Sequence, residues 1–331
     1  MLYYIAMNLP PSCWETSLQV HNGTHAQLVA EWLCTALPAA IELGELAESS
    51  HRTYKRAAEY WMDYLQGRAT PTPANVKEWV AQMRAQNRSL ATIATYLAAI
   101  KAFYNWTESL NHYPAIARAV RAPRVCKDTP LPCPTSTQIS AMYHSIPSNS
   151  LKGLRDRALL SVMYSTALRC VSLHRATVAD LDLTAGTLKH QPKGHRAKDA
   201  VAVLSATAID AVSAYLSARA SVPEQAPLFD AAGNRRSKSH GLSERAMRAL
   251  VLELSEEAGL ARRSTDGSMI NPGHYSAHSI RRASITIAAE HLGMEAAQTL
   301  AGHASMDTTR RAYARVNKYR QLKTTASILD L

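Results

Sequence analysis

Hydrophobic positions recur every three to four residues along most of the chain, the spacing that places them on one face of an α-helix. The stretch His25–Leu37 (HAQLVAEWLCTAL) reads as a short amphipathic helix, and Pro38 is expected to stop it. Tyr54, Ala58, Trp61 and Leu65 predict a second helix, with Ser49 or Ser50 as its cap. Pro71 and Pro73 interrupt the chain before Val76, Trp79, Val80 and Met83 predict a third. Ser89 opens another, with Ile93, Tyr96, Leu97, Ile100 and Tyr104 on one face. A short segment, Tyr113–Val120, reads as a last helix of this group. Basic residues on the polar faces, Arg84, Arg88, Lys101, Arg118 and Arg121, form either a solvated surface or one that meets phosphates.

Four prolines then fall within 121–135 (RAPRVCKDTPLPCPT), where no periodicity survives. This is a linker, extended because proline fixes the backbone and removes donors. Beyond it the spacing predicts helices over Ser136–His144 and Leu151–Ala167. The pattern then switches to alternation, predicting three short strands over Val178–Leu183, Thr187–Gln191 and Ala200–Leu204. Helical spacing returns at about 206–219, 243–258, 276–291, 295–301 and 307–315, with the tail 318–331 as one further helix. The expected fold is mainly α with one small antiparallel β-sheet. The expected parts are an N-terminal extension (1–42), a helical domain (43–120), the linker (121–135) and a larger domain (136–331).

Composition narrows the function classes. Of 331 residues, 37 are Lys or Arg and 26 are Asp or Glu, a formal net charge of +11. The sequence pI is about 9.5. Such a balance favours a polyanionic partner, and nucleic acid is the commonest. The five cysteines, Cys13, Cys34, Cys126, Cys133 and Cys170, are irregularly spaced with no CxxC pair. Reduced thiols in a cytoplasmic setting are therefore expected, and neither a zinc site nor a disulfide framework. No run of apolar residues is long enough to span a membrane, and the N-terminus lacks the basic region of a signal peptide.

Several segments carry chemistry. In His278-Ser279-Ile280-Arg281, the histidine and arginine stand three apart, on one side of a helix. There an arginine can grip two phosphate oxygens while a histidine donates or shuttles a proton. In Leu300-Ala301-Gly302-His303, the glycine can end a helix in the left-handed conformation and leave His303 in the bend. Asp307 or Thr308 can cap the helix after it. Tyr313 follows among basic residues, and a phenol needs cationic neighbours to act as a nucleophile near neutral pH. Arg169 closes an apolar helix and calls for an anionic partner, supplied either by a salt bridge or by a phosphate. Lys193 lies at a hairpin tip, Pro192-Lys193-Gly194-His195-Arg196-Ala197-Lys198, which suits a DNA backbone or a solvated turn.

In this order the segments resemble the tyrosine recombinases, or phage-type integrases, over about 280 residues from roughly 45 to the end of the chain. The helices at 45–120, including Thr92-Ile93-Ala94-Thr95-Tyr96-Leu97, resemble that family's core-binding domain. Residues 155–183 resemble the box bearing its first catalytic arginine, here Arg169, and Lys193 follows 24 residues later. HSIR supplies His278 and Arg281, LAGH supplies His303, and TTRRAYARV supplies Tyr313. Four departures stand out. Tyr313 comes ten residues after His303, where the family usually has nine. The acidic residue common three positions after the first arginine is Ser172, the usual glycine before Leu-Arg is Ala167, and the usual histidine after the HxxR arginine is Arg282.

The resemblance implies a two-domain clamp on double-stranded DNA that holds specific recombination sites. It implies that Arg169, Arg281 and His303 bind the scissile phosphate, that Tyr313 attacks it, and that a 3′-phosphotyrosyl link and a free 5′-hydroxyl result. Lys193 is the candidate acid for the leaving oxygen and His278 the candidate acid/base for the phenol, with the two histidines interchangeable. Neither metal nor other cofactor is implied. Four protomers on two duplexes are implied, with the tail 318–331 docking on a neighbour. The task would be integration, excision, resolution or inversion, as in mobile elements. Arg84, Arg88, Lys101, Arg196, Lys198 and Arg282 are candidate DNA contacts. The competing readings are a type IB-like topoisomerase with the same chemistry, and a catalytically silent DNA-binding protein of the same fold.

Overall fold

The structure, a computed structural model, describes residues 23–66, 68, 70–125, 133–192, 195, 197–219, 222–231, 241–271 and 275–328. Lys193 and Arg196 lie outside the described residues. The chain forms two compact units, one within Met1–Lys127 and the other within Asp128–Leu331.

The first unit is all helical: α1 (Gly23–Glu31), a π segment (Trp32–Ala36), α2 (Leu37–Glu42), α3 (Glu48–Tyr64), α4 (Pro73–Ala85) and α5 (Leu90–Ser109). Pro38 does not stop the first helix, contrary to expectation. A proline has no N–H to give, and its ring presses on the carbonyl four residues back. Here the chain widens ahead of it. The Leu37 N–H bonds to the Trp32 carbonyl, and Pro38 falls in the first turn of α2. His51 Nε2 on α3 donates to the Leu33 carbonyl at 2.9 Å, satisfying part of the widened turn. Leu28, Val29, Trp32, Leu33 and Leu37 are buried with Trp61, Trp79, Ile93, Leu97 and Phe103, so residues 23–42 build the same core as the helices after them.

Helix α3 starts at Glu48 after Ala47, and not after Ser49 or Ser50. The Glu48 carboxylate sits in the first turn, where the helix dipole favours negative charge. Ser89 caps α5 as expected, accepting from the Thr92 N–H. The helix expected at 113–120 is instead a run of turns closed by short links such as Arg118 N–H to Ala115 O and Val120 N–H to Ala117 O. Pro114 withholds one donor there, and the Tyr113 hydroxyl is tied to the Pro71 carbonyl at 2.7 Å. Trp61 is fully buried, donates to the Tyr104 hydroxyl at 3.0 Å and meets the Trp79 ring edge-on. Truncating such a residue costs about 3–5 kcal/mol.

The second unit runs α6 (Ser136–Ser145), α7 (Leu151–Thr166), α8 (Cys170–His174), β1 (Leu181–Asp182), β2 (Thr187–His190), β3 (Ala200–Val203), α9 (Ala206–Ala218) and α10 (Glu244–Glu257). It ends with β4 (Arg262–Arg263), β5 (Met269–Ile270), α11 (Ala277–Leu292), α12 (Met294–Ala301) and α13 (Met306–Ile328). Strands β1, β2 and β3 form an antiparallel sheet in that order, with Leu188 opposite Ala202 and His190 opposite Ala200.

Four expectations need correction here. The first strand is only two residues long, because 178–180 is a 3-10 turn tied by the Asp180 carboxylate to the Thr177 N–H at 2.7 Å. A second, two-stranded sheet, β4–β5, joins the expected one. The short helix α8 was not anticipated. The segments 307–315 and 318–331 are not separate helices, since neither glycine nor proline lies between them and α13 runs through.

Helices α7 and α11 are buried along most of their length. Ser284 on α11 donates to the Tyr164 carbonyl on α7 at 2.6 Å. Ala167, Ala288, Ala297 and Ala301 cluster with Ile285, and such small side chains let the end of α7 approach α11 and α12 closely.

Candidate active site

Arg281 is the hub of the site. It lies on the inner face of α11, is 4% exposed and donates to two carbonyls. One amino group bonds to Ala167 O, in the turn after α7; the other bonds to Ala301 O, the last residue of α12, at 2.5 Å. Each carbonyl stands two residues before another candidate side chain, Arg169 and His303. One guanidinium therefore registers both turns. Its remaining N–H groups are still available to an anion, because a guanidinium carries five donors.

Both turns depend on a left-handed residue. Ala167 has φ 51° and ψ 24° and caps α7. A non-glycine residue there costs about 1–2 kcal/mol. The Thr166 hydroxyl accepts the Leu168 N–H at 3.3 Å, and Arg281 holds the Ala167 carbonyl. Arg169 then takes extended backbone angles at the start of α8 and is half-buried. Gly302 has φ 55° and ends α12, as expected. His303 follows, half-buried, with Nδ1 2.9 Å from the hydroxyl of Thr309. Thr309 is fully buried in the second turn of α13.

Tyr313 lies one turn beyond Thr309 and one before the buried Val316, on the same face of α13. The phenol is half-buried, and among the described residues no hydrogen bond joins it to the cations. Helix α13 is regular through Ala312, so no bulge stands beside Tyr313. Between His303 and Tyr313 the chain is non-helical only over 303–305, before α13 begins at Met306.

The charges crowd one another. Burial pulls the Arg281 guanidinium down to about 10, helped by the charge of Arg169. Burial also lowers His303 below the usual imidazole value, with Arg281 and Arg169 adding to it. His278 is lowered by desolvation and then by Arg282, Arg281, Arg169 and His303. Among the described residues no salt bridge pairs Arg169, His278, Arg281 or His303 with a carboxylate. Arg169 and Arg281 thus lower their neighbours' pKa values with no carboxylate counterion among the described residues, an electrostatic setting that would favour an anion. No group of three metal-ligating side chains converges among the described residues.

The other candidates are spread out. Arg282 is half-buried, lowered by burial, and lies near Cys133 and Arg315. Lys198 is turned onto the Asp180 carboxylate. Arg84 and Arg88 are exposed at and after the end of α4, with the Arg88 guanidinium 5.4 Å from the Tyr60 ring centre, and Lys101 is half-exposed on α5. Arg118 bonds to Glu108.

Sequence reasoning missed Thr309, the two carbonyls held by Arg281, and His190. His190 is two residues after the buried Leu188 on β2 and so shares its face, a signal that alternation alone could have supplied. Burial lowers its imidazole, and Arg281 contributes to that shift.

The chain matches the Phage integrase family over residues 135–320 and the Phage integrase N-terminal SAM-like domain over 41–109. It is 32% identical to a tyrosine recombinase XerC of Rhodospirillum centenum over 246 residues, which is 71% of this chain and 65% of that protein. It is 24% identical to a tyrosine recombinase XerD of Listeria innocua over 293 residues, 85% of this chain and 92% of that one. Among solved structures it is similar to XerH recombinase bound to a palindromic difH substrate (TM-score 0.66, 17% identity, covering 95% of this chain and 98% of that one). It is also similar to residues 75–356 of lambda integrase bound to a core site (TM-score 0.65, 12% identity, covering 87% and 94%). Among the described residues no helix is long and apolar enough to cross a membrane.

Proposed function

Because the chain belongs to the phage integrase family, we propose that it is a site-specific DNA recombinase working through a covalent 3′-phosphotyrosyl intermediate. The observation that carries this reading is the anion site of Arg169, His278, Arg281 and His303, held by Arg281 and flanked by the helix of Tyr313. Its cations stabilise the charge that builds on the non-bridging oxygens of a five-coordinate phosphorus.

In the proposed reaction the Tyr313 oxygen attacks phosphorus, the bond to the 5′-oxygen breaks, and the ester retains the energy for rejoining. His278, neutral in the free protein because of its lowered pKa, takes the phenol proton. His303, aimed by Thr309, donates to a non-bridging oxygen. Lys193 gives its proton to the leaving 5′-oxygen. A basic protein of net charge +11 also gathers the DNA backbone broadly. The partners are double-stranded DNA bearing a recombination site and further copies of this chain, assembled as a tetramer on two duplexes.

The deciding experiment supplies two differently marked duplexes carrying the same recombination site. Exchange of the marks is expected. Relaxation of supercoils by a single protomer, with no exchange, would make the chain a topoisomerase-like enzyme instead. Sequencing the DNA trapped on the protein identifies the site.

A further inference from the structure

We infer that Gln191 is a positioning residue for the proposed acid Lys193, fixing the β2–β3 connection to the helix that Arg169 begins. This inference rests on the recombinase reading above. The family position usually acidic is Ser172 in this chain, and its hydroxyl donates to the Gln191 carbonyl at 3.0 Å. Arg175, the residue that caps the end of α8, donates from Nη1 to Gln191 Oε1 at 2.9 Å. Gln191 Nε2 in turn donates to the His195 carbonyl, on the far side of Lys193. A single side chain thus joins the start of the connection to its return limb and anchors both to α8.

The far limb is tied as well. His195 Nδ1 lies 2.9 Å from Asp199 Oδ2, and Lys198 bonds to Asp180, which is itself held by Thr177. Hydrogen bonding by His195 lowers the Asp199 carboxylate; at Asp180 burial raises the carboxyl, and Lys198 together with the Thr177 N–H and hydroxyl outweighs it and lowers it. Lys193 therefore belongs to a nine-residue connection between His190 and Ala200 whose flanks are pinned at Gln191, His195 and Lys198. A long lysine side chain must deliver one proton to one oxygen, and a misplacement of about 1 Å can cost about a hundred-fold in rate. Ser172 replaces a charged support with a neutral tether, and Gln191 completes it.

Lys193 acts as the P–O5′ bond breaks: its proton goes to the 5′-oxygen, and the electron pair of the broken bond stays there. If sulfur replaces that bridging oxygen, the P–S bond breaks to a thiolate that leaves without a proton. A defect in delivering the proton then disappears, whereas a general structural defect remains.

The test measures single-turnover adduct formation by the full chain and its variants Gln191→Ala, Gln191→Glu and Lys193→Ala. The substrates are nicked duplexes with 5′-oxygen or 5′-sulfur at the scissile bond. Gln191→Glu keeps the acceptor for Arg175 and loses only the donor to His195, so it covers a failure of the alanine variant to fold. On the oxygen substrate, both Gln191 variants should slow about ten-fold or more. On the sulfur substrate they should match the unaltered protein, as should Lys193→Ala. Equal slowing on both substrates, or no slowing on either, overturns the role of Gln191. Lys193→Ala unrestored by sulfur removes the acid role of Lys193, and this inference with it. Lys193→Ala restored while the Gln191 variants stay slow overturns the Gln191 inference alone.

Discussion

His303 Nδ1 and the hydroxyl of Thr309 lie 2.9 Å apart, so the histidine after the α12 turn is aimed by the helix that carries Tyr313. One hydrogen bond thus couples a proposed phosphate ligand to the helix of the proposed nucleophile. Thr309→Val keeps the buried shape and removes the bond. Adduct formation on a nicked suicide substrate should slow about ten-fold. Thr309→Ser should recover most of it. Equal rates in all three proteins would mean that this bond does not orient His303.

Arg281 makes a structural prediction as well as a catalytic one. Its two carbonyl bonds hold the turns of Arg169 and His303 together. Arg281→Lys keeps the charge but cannot span both carbonyls. Bonds from a charged donor contribute about 1.5–3 kcal/mol each, so the second unit should lose about 3 kcal/mol in denaturant unfolding. Cleavage should fall by about a hundred-fold or more. Loss of activity with unchanged stability would assign Arg281 to the phosphate alone.

The site was legible in part because its residue types cannot easily sit elsewhere. Of the HSIR and LAGH segments, Arg281 is buried, His303 is half-buried and His278 is exposed, and Gly302 takes the left-handed turn that its position implied. Ala167 takes the same conformation without being a glycine, so the turn that presents Arg169 left no local mark. A tertiary hydrogen bond from Arg281 to Ala167 O stabilises it instead. Pro38 misled for a related reason: a proline blocks an α-turn, but a wider turn before it lets the axis continue. The division of the last helix was inferred from scattered apolar points, yet the absence of a breaker decides its continuity.

The lowered imidazoles give a pH prediction for DNA binding. His278 and His303 titrate below the ordinary 6.5 in the free protein, from burial and then from neighbouring cations. A bound phosphate favours their charged forms and raises both values. The complex therefore binds more protons than the free protein, and affinity should rise as pH falls through the imidazole range. Titrations at constant ionic strength from pH 8 to 5.5 should show a several-fold gain, and the double variant His278→Gln, His303→Gln should show a smaller one. Parallel curves for the two proteins would contradict the anion site.

His25 gives the opposite sign for the stability of the first unit. It is 7% exposed, packs edge-on against Tyr113 at 4.5 Å and has Nε2 buried without a hydrogen-bond partner among the described residues. Burial lowers its pKa below the unfolded value. Stability is therefore full above about pH 6.5 and is lost as pH falls through the folded pKa. His25→Phe should flatten this part of the stability curve between pH 7 and 5. An unchanged slope would place the acid sensitivity elsewhere.

The most direct measurement is the mass of the peptide joined to DNA after a nicked suicide substrate is offered to the full chain. The account predicts a 3′-phosphoryl link on Tyr313, and no adduct with Tyr313→Phe although that variant still binds DNA. An adduct that persists in Tyr313→Phe and maps to another tyrosine, such as Tyr319, would contradict it.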